Sequence, residues 1–177
     1  MKTICIRKAQ SKDLEDVEEL YNQIHDLEEQ NKTTTGWLRN IYPIKQTAYD
    51  ALKRSDLYVL EDNDNIVGSA IINQIQGEMY AKGSWQYRAL PDEVCVLHTL
   101  VISPYVKNKG YGKLFVQFYE DYAKEHGYYE LRIDTNEKNK AARGLYYKLG
   151  YQEIGIIPTQ FNGIPDVRLV LLEKRLK

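Results

Sequence analysis

Asn139-Lys140-Ala141-Ala142-Arg143-Gly144-Leu145-Tyr146-Tyr147-Lys148-Leu149-Gly150-Tyr151 decides the fold when read with an upstream stretch, Pro104-Tyr105-Val106-Lys107-Asn108-Lys109-Gly110-Tyr111-Gly112-Lys113. In the later stretch Ala142, Leu145, Tyr146 and Leu149 recur on one face at helical spacing. Asn139 is suited to cap that helix and Gly150 to stop it. The earlier stretch joins a β-prone run, Val94–Ile102, to an amphipathic helix marked by Phe115, Phe118, Tyr119 and Tyr122. Unpaired N–H groups at a helix start carry the positive end of the helix dipole. Glycines let such a backbone approach a bulky anion. With Lys107, Lys109 and Lys113 beside them, the residues describe a phosphate or pyrophosphate cradle. It is not a P-loop, because Lys107 replaces the first glycine and Leu114 the Ser/Thr. Nor is it a dinucleotide fingerprint, because Phe115 stands at the third glycine.

Outward from these motifs the chain alternates. Residues 3–9 suit a strand, and Ser11 can cap a helix carrying Leu14, Val17, Leu20, Tyr21, Ile24 and Leu27. Asn31 to Pro43 reads as a loop or broken helix that carries Trp37 and Tyr42, and a short helix runs from about Gln46 to Arg54. Leu57–Leu60 and Ile66–Ile72, around a polar turn, form a hairpin signature. Residues 76–92 are an excursion without regular structure. Strands follow at Leu131–Thr135, 151–157 and 167–173, the last two joined by a loop containing Phe161-Asn162-Gly163. The order is β-α-α-β-β-β-α-β-α-β-β in a single domain, residues 1–177.

Composition bounds the function. Lys plus Arg is 24 and Asp plus Glu 25, a net charge of −1 that disfavours a protein built to coat nucleic acid or an anionic membrane. Cys5 and Cys95 make neither a zinc pattern nor a disulfide scaffold, so no metal is expected and a reducing compartment is the simpler reading. No apolar run approaches the roughly 18–20 residues of a membrane span, and the N-terminal residues lack the apolar core of a signal peptide. A cytoplasmic protein is expected. Tyr is unusually frequent, 15 against 3 Phe and 2 Trp. Its apolar body and polar tip suit the half-buried walls of a cleft.

Together the two motifs resemble the GNAT-type N-acetyltransferases, which use acetyl-CoA. That family's loop signature, V-x-P-x-x-[RQ]-x-x-G-x-G, reads here from Ile102 through Pro104, Lys107 and Gly110 to Gly112, with Lys107 in place of Arg or Gln. Its later signature, N-x-x-A-x-x-L-Y-x-x-x-G-[FY], is matched by Asn139, Ala142, Leu145, Tyr146, Gly150 and Tyr151. The resemblance implies a mixed α/β domain. Its central, mostly antiparallel sheet is flanked by helices and splayed between strands 94–102 and 130–135. It implies acetyl transfer from acetyl-CoA to a primary amine of a small molecule or peptide, by direct attack in a ternary complex. Dimers are common in that family, so a homodimer is carried as an expectation by analogy.

Residue roles follow from the resemblance. The backbone of Leu100, Val101 and Ile102 holds pantetheine and the thioester carbonyl. The loop from Lys107 through Asn108, Lys109, Gly110, Tyr111 and Gly112 to Lys113 holds the pyrophosphate, with Asn139 and Ala142 nearby. Tyr146 protonates the departing thiolate. The base stays open between His98, placed by alternation on the face of Leu100, Glu93, Asp134 and a water chain. Cys95, five positions before Leu100, falls on the opposite face, against a covalent acetyl-enzyme. Trp37, Tyr42, Tyr80, Phe161 and Asn162, from the least regular segments, are the expected acceptor-pocket residues, with Trp85 and Tyr87 as further candidates. Two other readings stand beside this one: a longer acyl-CoA donor, and a CoA-binding regulatory module without turnover.

Overall fold

A computed structural model describes residues 3–177; Met1 and Lys2, which open the N-terminal stretch, lie outside the described residues. The elements are β1 (Ile4–Lys8), α1 (Leu14–Glu29), α2 (Lys45–Lys53), β2 (Leu57–Asp62), β3 (Asn65–Asn73), β4 (Val94–Ile102), α3 (Tyr111–Glu125), β5 (Glu130–Asn136), α4 (Lys140–Lys148), β6 (Gln152–Phe161) and β7 (Ile164–Arg175). Their order is the one expected. They build a seven-stranded sheet, β1-β2-β3-β4-β5-β7-β6. Only β4 and β5 run parallel; the other neighbours are antiparallel.

Both hairpins close more tightly than expected. Asn63-Asp64 and Asn162-Gly163 are two-residue turns with every φ positive. Turns of that hand match the twist of the strands they join. Phe161 therefore ends β6 rather than lying in a loop. The helix cap also differs. Ser11 opens a short 3-10 turn, Ser11–Asp13, and Asp13 stands at the N-cap of α1 with no side-chain cap bond, its carboxylate instead accepting from Gln10 N at 2.7 Å and from Arg7 at 2.8 and 3.1 Å.

The sheet buries both faces. On one, α3 and α4 cover Cys95, Leu97, Leu131, Ile133, Val170 and Leu172. On the other, α1 and α2 cover Leu57, Val59, Ile71 and Val101, and the 76–93 excursion covers Val94, Val96, Leu169 and Leu171. Near-continuous apolar runs such as Val94–Leu97 are what a strand covered on both sides requires.

Two irregularities in β4 make the site. The ladder to β5 runs only from Val94↔Glu130 to Leu97↔Ile133, after which the strands part. In addition, the register with β3 slips between Ser69↔Val101 and Ile71↔His98, and Thr99 takes φ +51°. This is a β-bulge, which reverses the in-out parity of everything after it. It overturns two expectations drawn from strict alternation. His98 and Leu100 face opposite sides of the sheet, while Cys95 and Leu100 share the α3/α4 side.

Candidate active site

Beyond Leu97 the inner edge of β4 has no strand partner, and a cavity of about 130 Å³ occupies the fork between β4 and β5. Leu100, Val101 and Ile102 line it from β4, and Asn139, Ala142 and Tyr146 from α4 and its cap. Asn139 Oδ1 accepts from Ala142 N at 3.2 Å, which fixes the first turn of α4. Leu100, Val101, Ile102, Asn139, Ala142 and Tyr146 are thus brought together as the sequence implied.

Tyr146 reaches the fork from the α3/α4 face and is 5% exposed. Among the described residues its hydroxyl makes no hydrogen bond. Burial, reinforced by the Asp134 carboxylate, pushes this phenol well above the ordinary tyrosine range. Asp134 reaches the same fork from the other face of the sheet. Burial raises its carboxyl to about 6, against the opposing pull of a hydrogen bond from Tyr80 Oη at 2.6 Å. Asp134 also lines a second, outer cavity of about 370 Å³, together with Tyr42, Phe161, Asn162, His98 and Asp50. A phenol and a carboxyl group thus meet in one slit from opposite sides of the sheet.

The other base candidates are less well placed. His98 lines the outer cavity only, is hydrogen-bonded to Asn73 Oδ1 at 2.8 Å, and is pushed down to about 4 by burial. Glu93 precedes β4 at its far end, where its carboxylate accepts from Leu90 N. Cys95 shares the Leu100 face but is fully buried away from the cavity, its thiol pushed up by burial to about 12. A thiol held neutral is a poor nucleophile.

The loop from Ser103 to Gly110 leads into α3. Gly110 adopts φ +70° at the helix start, a conformation that costs most side chains about 1 kcal/mol. No side chain caps α3 there. The first-turn N–H groups are therefore open to a ligand. Lys107 and Lys113 are exposed and, among the described residues, in no ion pair. The side chains of Lys109 and Tyr111 go elsewhere: both bind Asp62 Oδ2 on β2, at 3.0 and 2.5 Å. Only their backbone remains at the cradle.

Residues 31–43 close the fork from above. Glu28 accepts from Thr35 N, Thr35 Oγ1 and Gly36 N, folding the segment back over α1. Gly36 sits at φ +74°, where a side chain would be strained and its Cβ, 2.3 Å from Asn136 Nδ2, would have to displace that amide from β5. Tyr42 hydrogen-bonds Thr99 at the bulge, and its ring meets Trp37 and Phe161 edge-on at 6.2 and 5.5 Å. Of the residues expected to line an acceptor pocket, Trp37, Tyr42 and Phe161 line the fork cavity, and Tyr42, Phe161 and Asn162 the outer one. Tyr80, 2% exposed, lines neither of these two cavities; with Trp85 and Tyr87 it borders a separate, more open cavity of about 750 Å³ under the 76–93 excursion. Sequence reasoning missed Thr99, whose bulge carries no glycine to announce it. It also missed Glu28, a helix acid whose long-range loop contacts have no local signature.

Residues 15–151 match the acetyltransferase (GNAT) family. The chain belongs to this family. A GNAT family acetyltransferase structure from Streptococcus agalactiae superposes with a TM-score of 0.81 at 21% identity, covering 98% of this chain and 96% of that one. The Salmonella typhimurium yncA structure, solved with its cofactor acetyl-CoA, gives 0.72 at 17% identity over 99% and 95%. In sequence, the uncharacterized N-acetyltransferase YhfO of Bacillus subtilis is 33% identical over 60 residues, 34% of this chain and 40% of YhfO. The GNAT assignment agrees with the parted β4 and β5 strands and the uncapped start of α3.

Proposed function

We propose that this GNAT protein moves the acetyl group of acetyl-CoA onto a primary amine of a small molecule or peptide, both substrates being bound together. The observation that carries the reading is the meeting of Tyr146 and Asp134, from opposite faces of the sheet, in the cavity left by the β4–β5 fork. Acetyl-CoA supplies the activated acyl group. The unpaired edge of Leu100–Ile102 offers N–H and C=O groups to pantetheine in the manner of an added strand. The first-turn N–H groups of α3, with Lys107 and Lys113, take the pyrophosphate.

Asp134 Oδ1, which has no partner among the described residues, accepts the proton of the attacking nitrogen. A free alkylammonium with pKa near 10.4 lies about 4 units above this carboxyl, a gap of roughly 6 kcal/mol that Asp134 cannot overcome alone. The amine therefore reacts as its free base, favoured by desolvation in the slit. Its nitrogen becomes acidic as the C–N bond forms, and a carboxylate near 6 then suffices. Tyr146 Oη, held protonated by burial, donates to the departing sulfur. His98, near 4, is a much weaker acceptor.

The outer cavity favours a cationic acceptor. Asp50 and Asp134 both line it without an ion-pair partner among the described residues. Its arginine, Arg54, is already bound to Asp56 at 2.9 Å. Rings of Tyr42 and Phe161 add faces for a cation. The test is CoA release from acetyl-CoA across monoamines, polyamines, amino acids and peptides. Wild type should turn over at least one cationic amine, with kcat rising through about pH 6. Asp134→Asn should lower kcat by roughly 10²–10⁴ and abolish that limb. Acetyl-CoA binding with no turnover of any amine would favour a regulatory CoA-binding module instead.

A further inference from the structure

We infer that the 76–93 excursion is a positioning arm for the catalytic base, with Tyr80 fixing Asp134 so that one carboxylate oxygen stays free for the substrate. The inference rests on the reading of Asp134 as that base. Tyr80 Oη donates to Asp134 Oδ2 at 2.6 Å, and Oδ1 is left without a partner among the described residues. The tyrosine is held as firmly as it holds. Its ring packs on Trp85 at 5.4 Å, and its carbonyl accepts from Trp85 Nε1 at 2.7 Å. Trp85 in turn carries the Arg132 guanidinium 4.0 Å over its ring, and Arg132 donates to Gln76 Oε1 at 2.6 Å.

Arg132 and Asp134 are two apart on β5 and so share a face. That face grips the excursion twice, once through a structural arginine and once through the base itself. Tyr80 is a positioning residue: it is buried behind Asp134 and lines neither substrate cavity. It also remains a donor, since burial and the neighbouring carboxylate keep its phenol protonated. The remaining titratable and charged groups around Asp134 are Tyr42 from the loop, Tyr146 from α4, His98 from β4, Arg132 on its own strand, and Asp50 and Arg54 across the outer cavity. Tyr80 is the only one of them that hydrogen-bonds the carboxylate among the described residues.

Tyr80→Phe keeps the ring and removes the donor. The carboxylate then loses the bond that opposed its upward shift, so the acid limb of kcat at saturating amine should move up by about one pH unit. The KM for acetyl-CoA should stay within about twofold, and an unchanged near-UV circular dichroism spectrum would show that the excursion still packs. In an Asp134→Asn background the same change should cost kcat nothing further, because Tyr80 acts through Asp134. Superimposable pH profiles, or losses that add in the double variant, would overturn the inference while leaving Asp134 as the base. Full kcat in Asp134→Asn alone would instead remove the base and the arm with it.

Discussion

At the scale of single residues, two side chains with opposite duties owe their character to the same cause. Burial favours the neutral form of an acid. It holds Tyr146 protonated and lifts Asp134 to about 6, the protonation states that their proposed roles require. Tyr146→Phe removes one oxygen and leaves the ring that packs against Tyr151 at 5.8 Å. We expect kcat to fall by about 10²–10³ with the dissociation constant of acetyl-CoA unchanged, read by single-turnover kinetics beside calorimetric titration. An equal loss in affinity would make Tyr146 a binding residue. Tyr146 was legible because it sits inside a full motif. Tyr80 and Asp134 were legible only as residue types in the right neighbourhood, because their hydrogen bond joins positions far apart in the chain.

At the scale of elements, the phosphate loop shows how much a short motif conveys and where it stops. Gly110, Gly112 and the start of α3 fall where the sequence put them. All three lysines bring positive charge to the loop in sequence, yet among the described residues Lys107 and Lys113 are in no ion pair, whereas Lys109 lies 3.0 Å from Asp62 on β2. We expect Lys113→Ala and Lys107→Ala each to raise the KM for acetyl-CoA several-fold, an effect that fades with added salt. Lys109→Ala should leave it within about twofold. Equal effects at all three positions would mean that Lys109 leaves Asp62 when the cofactor binds. Element order was fully legible because helix and strand periods are local. The β4 bulge was not: a one-residue slip against β3 is set by tertiary pairing, and it reversed the faces of His98 and Cys95 relative to Leu100.

At the scale of the whole molecule, polar residues at the β5–β7 seam fasten the excursion to the sheet. Beneath Tyr80 and Arg132, Glu130 and Glu173 are 0% and 1% exposed. Glu173 Oε1 accepts from Gln86 N at 2.8 Å, whereas both Glu130 oxygens and Glu173 Oε2 lack a hydrogen-bond donor among the described residues, Arg132 and Arg175 approaching Glu130 only to 3.9 and 3.7 Å. Burial, and then the adjacent Glu173, hold Glu130 well above the usual carboxylate range, against the opposing pull of Arg132 and Arg175. A carboxyl raised in the folded state stabilises at low pH, and that contribution is lost as pH climbs from the unfolded value through the folded one. Glu130→Gln should therefore raise Tm by several degrees near pH 9 and change it little near pH 5, measured by calorimetry, at roughly 2–4 °C per kcal/mol for a chain of this size. A uniform drop at both would show that the pair is ionised throughout. The parted strands carry a consequence of a different kind. A sheet whose central ladder stops at Leu97↔Ile133 leaves a strand edge open, so on the proposed function acetyl-CoA bound along it would be a folding partner as well as a reactant. At a hundred times its dissociation constant, a ligand that binds only the native chain adds about 2.7 kcal/mol by mass action. The lifetime of this protein against proteolysis would then track the supply of its own acyl donor.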